Sequence, residues 1–236
     1  MRSLVSISLT CGLLLATTVR AEDAETAKVI DKALKAHGNP SAKQAAVVWK
    51  GKGTFYGMGD GFPYTGTWSI QSADKFKIEI DNVFSLIVNG DKGWFGDQEM
   101  TKEQLEENRQ GMHQNYVARL YPLKDKAFTL KLVGEGKVDD KPAVGVKVSS
   151  KGRRDVTLYF DKESGLLVKM EMQVKDEQSG EEKKQESFIK DYVTVDGVKL
   201  PSKMVIKRDG KVYVDGEMTE YKTSEKLPDE TFAKPK

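Results

Sequence analysis

From Val47 the chain alternates. Val47, Trp49, Gly51, Gly53 and Phe55 fall on one side of an extended segment and Lys50, Lys52 and Thr54 on the other, the period of two that marks a strand with one wet face. The alternation continues in FPYTGTWSI, where Phe62, Tyr64, Gly66, Trp68 and Ile70 go together. It continues again in KFKIEI, with Phe76, Ile78 and Ile80 on one side and Lys75 and Lys77 sent outward. Further strands are predicted near 127–133, 143–149, 154–160, 165–175, 185–194, 198–208 and 211–222, separated by the turn signals VDDKP, DKESG, QSGEE, VDG and RDG.

Two stretches follow a period of 3.6 instead. In DAETAKVIDKALKAHG, Ala27, Ile30, Ala33 and Leu34 form an apolar stripe, with Asp23 as N-cap and Gly38 just past the end. A second helix begins at TKEQ, where Thr101 and Gln104 have capping-box spacing. It carries a broken stripe of Leu105, Met112, Tyr116, Val117 and Leu120 and closes at YPL, residues 121–123. Many antiparallel strands with short turns and two helices predict a mainly β fold, an antiparallel sheet with a helical cover. No fixed-period repeat, linker or change of composition divides the chain after residue 21, so residues 22–236 are expected to form one domain.

The first 21 residues are set apart by their order of features. Arg2 precedes the apolar run LVSISLTCGLLLATTV, and Val19 to Ala21 end in the small residues that a signal peptidase reads. Residues 1–21 therefore read as a signal peptide, with the mature protein beginning near Glu22. A retained anchor is the alternative, but the run is short for a bilayer span and Glu22 and Asp23 follow it directly. Cys11, the only cysteine, lies inside this run without the residues that precede a lipidated cysteine. The mature chain then has no disulfide, thiol nucleophile or cysteine metal site, which suits a bacterial envelope protein in the periplasm or outside the cell. Removing Arg2 and Arg20 from the 38 basic residues leaves 36 against 36 acidic ones. A neutral chain lacks the basic excess that nucleic-acid binding requires.

Candidate chemistry is sparse. The two histidines, His37 and His113, stand in no nucleophile motif. GMGDG, residues 57–61, lacks the following Lys-Ser/Thr of a phosphate loop and reads as a hairpin turn. KDEQSGEEKKQE has many carboxylates, but its alternating signs around Ser179 and Gly180 read as a solvated turn. No metal or cofactor is implied.

The apolar face suggests binding instead. Bulky rings combine there with Gly51, Gly53 and Gly66 on neighbouring strands, so either room is being left or the sheet bends sharply. Vacant space beneath a helix would be a ligand pocket, and the plain alternative is a filled core. The expected lining is Trp49, Gly51, Gly53, Phe55, Tyr64, Gly66, Trp68, Phe76 and Trp94 from the strands, with Met112 and Leu120 from the second helix.

The hairpin YFDKESGLLVKMEM, followed by DYVTVDGVKLPSKMVIKRDGKVY, resembles the outer membrane lipoprotein-sorting proteins, the LolA/LolB-like family, in its uncharacterised bacterial branch. The shared elements are Asp-x-x-Ser/Thr-Gly-Leu, here Asp161 to Leu166, and Tyr-x-x-Val-Asp-Gly-Val-x-x-Pro, here Tyr192 to Pro201. The second is the more specific. The resemblance runs from the Lys50 to Phe55 strand onward and implies an incomplete, half-open barrel of about eleven antiparallel strands capped by helices. Its apolar concavity would hold acyl chains of a lipoprotein or lipid, and the protein would be a non-enzymatic monomeric carrier. An arginine would latch the cavity mouth; Arg109 and Arg119 lie on the second helix but in no shared motif. Two other functions compete: an interaction or sensor module presenting the sheet to an envelope protein partner, and, third, an enzyme.

Overall fold

The computed structural model describes the backbone of residues 12–57, 59–176 and 179–235, and side chains within these from residue 23 onward. Apart from the backbone of residues 12–21, the expected leader, with Cys11, lies outside the described residues. Helix α1 spans Gly12–Ala36 and passes through Asp23 without a break, so the cap expected there does not form in the full chain. Its buried stripe is Thr26, Ile30, Ala33 and Leu34, with Ala27 exposed. Gly38 ends it as the pattern requires. Its φ is +81°, the Asn39 amide donates to Leu34 O, and a Cβ on Gly38 would lie 1.9 Å from Gly197 O. Only glycine fits this junction.

The strands are β1 (Ala46–Phe55), β2 (Phe62–Ser72), β3 (Lys75–Ile80), β4 (Phe84–Asn89), β5 (Lys92–Phe95), β6 (Gln98–Glu99), β7 (Phe128–Val138), β8 (Lys141–Ser150), β9 (Val156–Asp161), β10 (Leu167–Lys175), β11 (Glu182–Val195), β12 (Val198–Arg208) and β13 (Lys211–Ser224). Helix α2 (Lys102–Val117) connects the two halves. All thirteen join one antiparallel sheet in the order β6-β5-β4-β3-β2-β1-β13-β12-β11-β10-β9-β8-β7, and its two edges do not pair. The fold is thus the half-open antiparallel architecture with a helical cover. Bulges at Val48/Lys50, Leu132/Gly134, Leu167/Lys169 and Ile206/Lys207 interrupt the ladders, each a local source of bend and twist.

Local chemistry sets the hairpins. Asp196 and Gly197 have φ of +50° and +78°, as do Asp209 and Gly210 at +45° and +79°, the Asp-Gly turn whose twist matches its flanking strands. In the β9–β10 turn, Asp161 Oδ1 accepts from both the amide and the hydroxyl of Ser164 at 2.7 Å. Those donors hold the Asp161 carboxyl below its usual range.

Both helices lie on one face, the inner one. Under α1 and the end of α2, Ile30, Leu34, Val117, Leu120, Val146, Leu158, Phe160 and Met170 form the larger core. Under the middle of α2, Val47, Ile70, Phe76, Val88, Leu105 and Met112 form a second. The expected capping box is present, with Thr101 Oγ1 accepting from the Gln104 amide and Gln104 Oε1 accepting from the Thr101 amide. α2 is braced at both flanks. Arg109 pairs with Asp74 in the β2–β3 turn and donates to Gly90 O, while Arg154 from the β8–β9 turn pairs with Glu107 through both nitrogens at 2.9 Å. Arg153 reaches Asp74 at 2.5 Å, so the two turns also meet each other.

The outer face is charged, as the alternation predicted. Lys50 pairs with Glu220, Lys52 with Glu217, and Lys77 with Glu79. One part is apolar: Ile87, Trp94 and Phe232 pack there with Leu227, and Lys75 pairs with Asp229 beside them. The chain's last turn therefore covers the back of β3–β5.

Candidate functional site

The ends of the two helices meet the central strands of the inner face around one cavity. α1 packs on β7, while α2 touches β4 and β10, which flank β1, β13 and β12 in the sheet order. The cavity has a volume of about 120 Å³. Trp49, Leu200, Met204, Met218 and Tyr221 of the central strands form its floor. Its walls are the two helix ends, with His37 and Pro40 after α1 and Asn115, Ala118 and Arg119 toward the end of α2. The lining is chiefly apolar. Its size is close to that of an engineered apolar cavity of about 150 Å³ that admits a benzene-sized guest.

The polar groups of the wall are mostly bonded to one another. His37 Nδ1 is 2.7 Å from Ala33 O and so donates to it, which leaves Nε2 to accept from the Leu167 amide at 3.5 Å. Tyr192 Oη donates to Leu167 O at 2.5 Å and lies 3.4 Å from His37 Nε2. Burial lowers the His37 pKa, with a smaller contribution from the Lys199 charge. Tyr221 Oη donates to Pro201 O at 2.5 Å, and burial pushes both tyrosine pKa values up.

Arg119 ties the mouth. Its guanidinium donates to Gln44 O and Ala45 O, carbonyls of the 3-10 turn Ala42–Gln44 and the residue after it. It also lies 5.7 Å from the centre of the Tyr121 ring. These two donors join the α2 end to the lip of β1 across the cavity. Sequence reasoning found no motif around Arg119 because its acceptors are backbone carbonyls, which any residue supplies. Arg119→Ala is expected to cost about 1.5–3 kcal/mol, the range for hydrogen bonds to a charged group. Arg119→Lys would not restore it, since an ammonium lacks the fork that spans two carbonyls. Urea unfolding, with hydrogen exchange at residues 42–45, measures both.

Of the eleven residues predicted to line one space, Trp49 lines this cavity. Phe76 and Met112 lie in the adjoining core under α2, and Leu120 in the larger core. Trp94 is on the opposite face, because it pairs with Ile87 while Val88 and Phe76 face inward. Phe55 stands edge-on to Tyr213 with ring centres 4.9 Å apart.

The three glycines do not leave room. A Cβ on Gly51 would meet the Trp68 ring at 2.5 Å, on Gly53 the Asp215 O at 2.1 Å and the Tyr64 Oη at 2.9 Å, and on Gly66 the Glu79 O at 2.3 Å. Trp68 stacks on Trp49 with centres 5.9 Å apart and leans over Gly51, while Tyr64 lies over Gly53 and Gly216. The absent side chains seat neighbouring rings and backbone. Leu200, Met204, Met218 and Arg119, which do line the cavity, were not among the expected set.

Elsewhere, His113 Nε2 lies 3.5 Å from Ser150 Oγ. The imidazole is stacked on Phe128, and burial lowers its pKa to about 4. The nearby Asp74 is engaged by Arg109 and Arg153. Among the described residues no group of three or more His, Cys, Asp or Glu could hold a metal ion.

No family model and no curated protein matches the chain. Solved structures do. A LolA superfamily protein from Nitrosomonas europaea superposes with a TM-score of 0.58 at 14% identity, covering 86% of this chain and 97% of that one. A putative outer membrane lipoprotein-sorting protein domain from Vibrio parahaemolyticus gives 0.57 at 9% identity, covering 88% and 97%. A DUF1329 family protein from Desulfovibrio piger gives 0.55 at 11% identity, also over 88% and 97%. The thirteen-stranded open sheet with its two inner helices is therefore a LolA-like fold.

Proposed function

We propose that this chain is a non-enzymatic envelope protein that binds or carries acyl chains of a lipid or lipoprotein, held between the central strands and the ends of α1 and α2. The carrying observation is the apolar cavity over β1, β13 and β12. A preformed apolar concavity with few polar groups gains affinity from the area it takes from water, roughly 25 cal/mol per Å². Trp49 is the one residue of the expected lining that borders the cavity. The likeness to a putative lipoprotein-sorting domain agrees with this reading. The same proposal takes residues 1–21 as a cleaved signal peptide and residues 22–236 as the single mature domain, in the periplasm or outside the cell. No helix among the described residues is long and apolar enough to cross a membrane.

The competing reading, a module that recruits an envelope partner by sheet extension, has less support. The edge strand β6 has only two residues, and the other edge, β7, carries Lys131, Glu135 and Lys137 and a bulge at Leu132/Gly134, features that discourage edge pairing. Purification from the native host followed by organic extraction and mass spectrometry tests the proposal. One chain-bearing species at near-stoichiometric yield is expected. A lipid-free extract, together with no binding of a fluorescent fatty acid, would overturn it.

A further inference from the structure

We infer that the occupant of the cavity is a single-chain amphiphile with an anionic head, the head paired with Lys199 at the rim and the chain running inward over Trp49 and Met218. This rests on the acyl-chain reading above and specifies its ligand class. Among the described residues the cavity lining includes two cationic side chains, Lys199 and Arg119, and no carboxylate. Arg119 is already engaged by two carbonyls and the Tyr121 ring.

Lys199 is different. Its backbone amide is fixed to His37 O at 3.1 Å, but its ammonium has no ion-pair partner among the described residues. A half-buried cation at the rim of an apolar cavity, without a counter-charge, is matched by an anion that arrives with its own apolar chain. The field of Lys199 reaches the wall, where it adds to burial in lowering the His37 pKa.

Size limits the chain count. A volume of about 120 Å³ is of the order that admits one small ring-sized guest, so one chain per protein is the expected load. One chain can enter there and continue along the half-buried rings of Trp68 and Tyr64 on the same face.

The test titrates the purified protein with dodecanoate, dodecyl phosphate, dodecanol and dodecyltrimethylammonium by calorimetry at low ionic strength. Both anions are expected to bind about tenfold more tightly than dodecanol, the ammonium most weakly, each near one chain per protein. Lys199→Met should bring the anions down to the alcohol's affinity and leave dodecanol unchanged, which also reports an intact cavity. A Lys199-dependent preference for dodecanoate supports a fatty acid as the source of the head, and one for dodecyl phosphate a phosphate-headed lipid. Equal binding of anions and alcohol, equal loss of all ligands in Lys199→Met, or two chains per protein would overturn this inference while leaving the acyl-chain reading in place. Binding of none of the four would overturn that reading itself.

Discussion

Leucine in place of Gly53 is expected to destabilise the protein by about 3 kcal/mol or more, at the upper end of overpacking costs. The reason is backbone rather than side chain. The first carbon added at this position would stand 2.1 Å from Asp215 O and 2.8 Å from Gly216 Cα on the paired strand β13, and a ladder cannot yield there without breaking its register. Tyr64, whose hydroxyl covers both glycines, would be displaced as well. Gly136 in β7 is the control: nothing lies within 4 Å of its added carbon and its φ is ordinary. Gly136→Ala should therefore stay within about 0.5 kcal/mol of the parent. Urea midpoints at constant m decide the comparison. A Gly53→Leu protein with an unchanged midpoint would mean that β1 and β13 are not packed as described.

The same glycines show how far the sequence could be read. Alternation along β1 places Gly51 and Gly53 on the inner face correctly, yet a missing side chain reads alike whether it leaves a vacancy or seats a neighbour. The difference lies in the pairing of Gly51 with Gly66 and of Gly53 with Tyr64, which needs register between strands. Turns were legible for the opposite reason: Asp196-Gly197 and Asp209-Gly210 carry their conformation in their own chemistry. Strands β4 to β6 escaped the period-two reading. Val88 is buried under α2 and Ile87 under Phe232, so both faces of β4 are apolar and alternation disappears. That second cover comes from the far end of the chain, and it seats Trp94 beside Phe232 instead of on the inner face that alternation predicts. The cavity was hidden for a related reason. Its floor lies where β1, β13 and β12 meet, joining Trp49 to Met204 and Met218 across more than 150 positions of sequence.

Tryptophan in place of Met218 is expected to close the cavity and weaken binding of a dodecyl chain roughly a hundredfold. Met218 lines the cavity, stands opposite Gly51 in the ladder, and belongs to none of the buried clusters. A larger ring there can grow into open space instead of into packed atoms, so the substitution should cost less than about 1.5 kcal/mol in stability. The binding loss follows from the space removed. A cavity of about 120 Å³ holds on the order of four methylene groups if each occupies about the volume of a water molecule, about 30 Å³. At about 0.8 kcal/mol for each buried methylene, excluding them forfeits about 3 kcal/mol, which is the hundredfold. The effect should be the same for dodecanol and dodecanoate, because both lose the chain's site and neither loses Lys199. Met218→Ala should act the other way, enlarging the floor and shifting preference toward longer chains. Paired calorimetric titrations of the parent and both variants separate these outcomes. A tryptophan variant that binds as tightly as the parent would show that acyl chains, where they bind, do not occupy the space over β13.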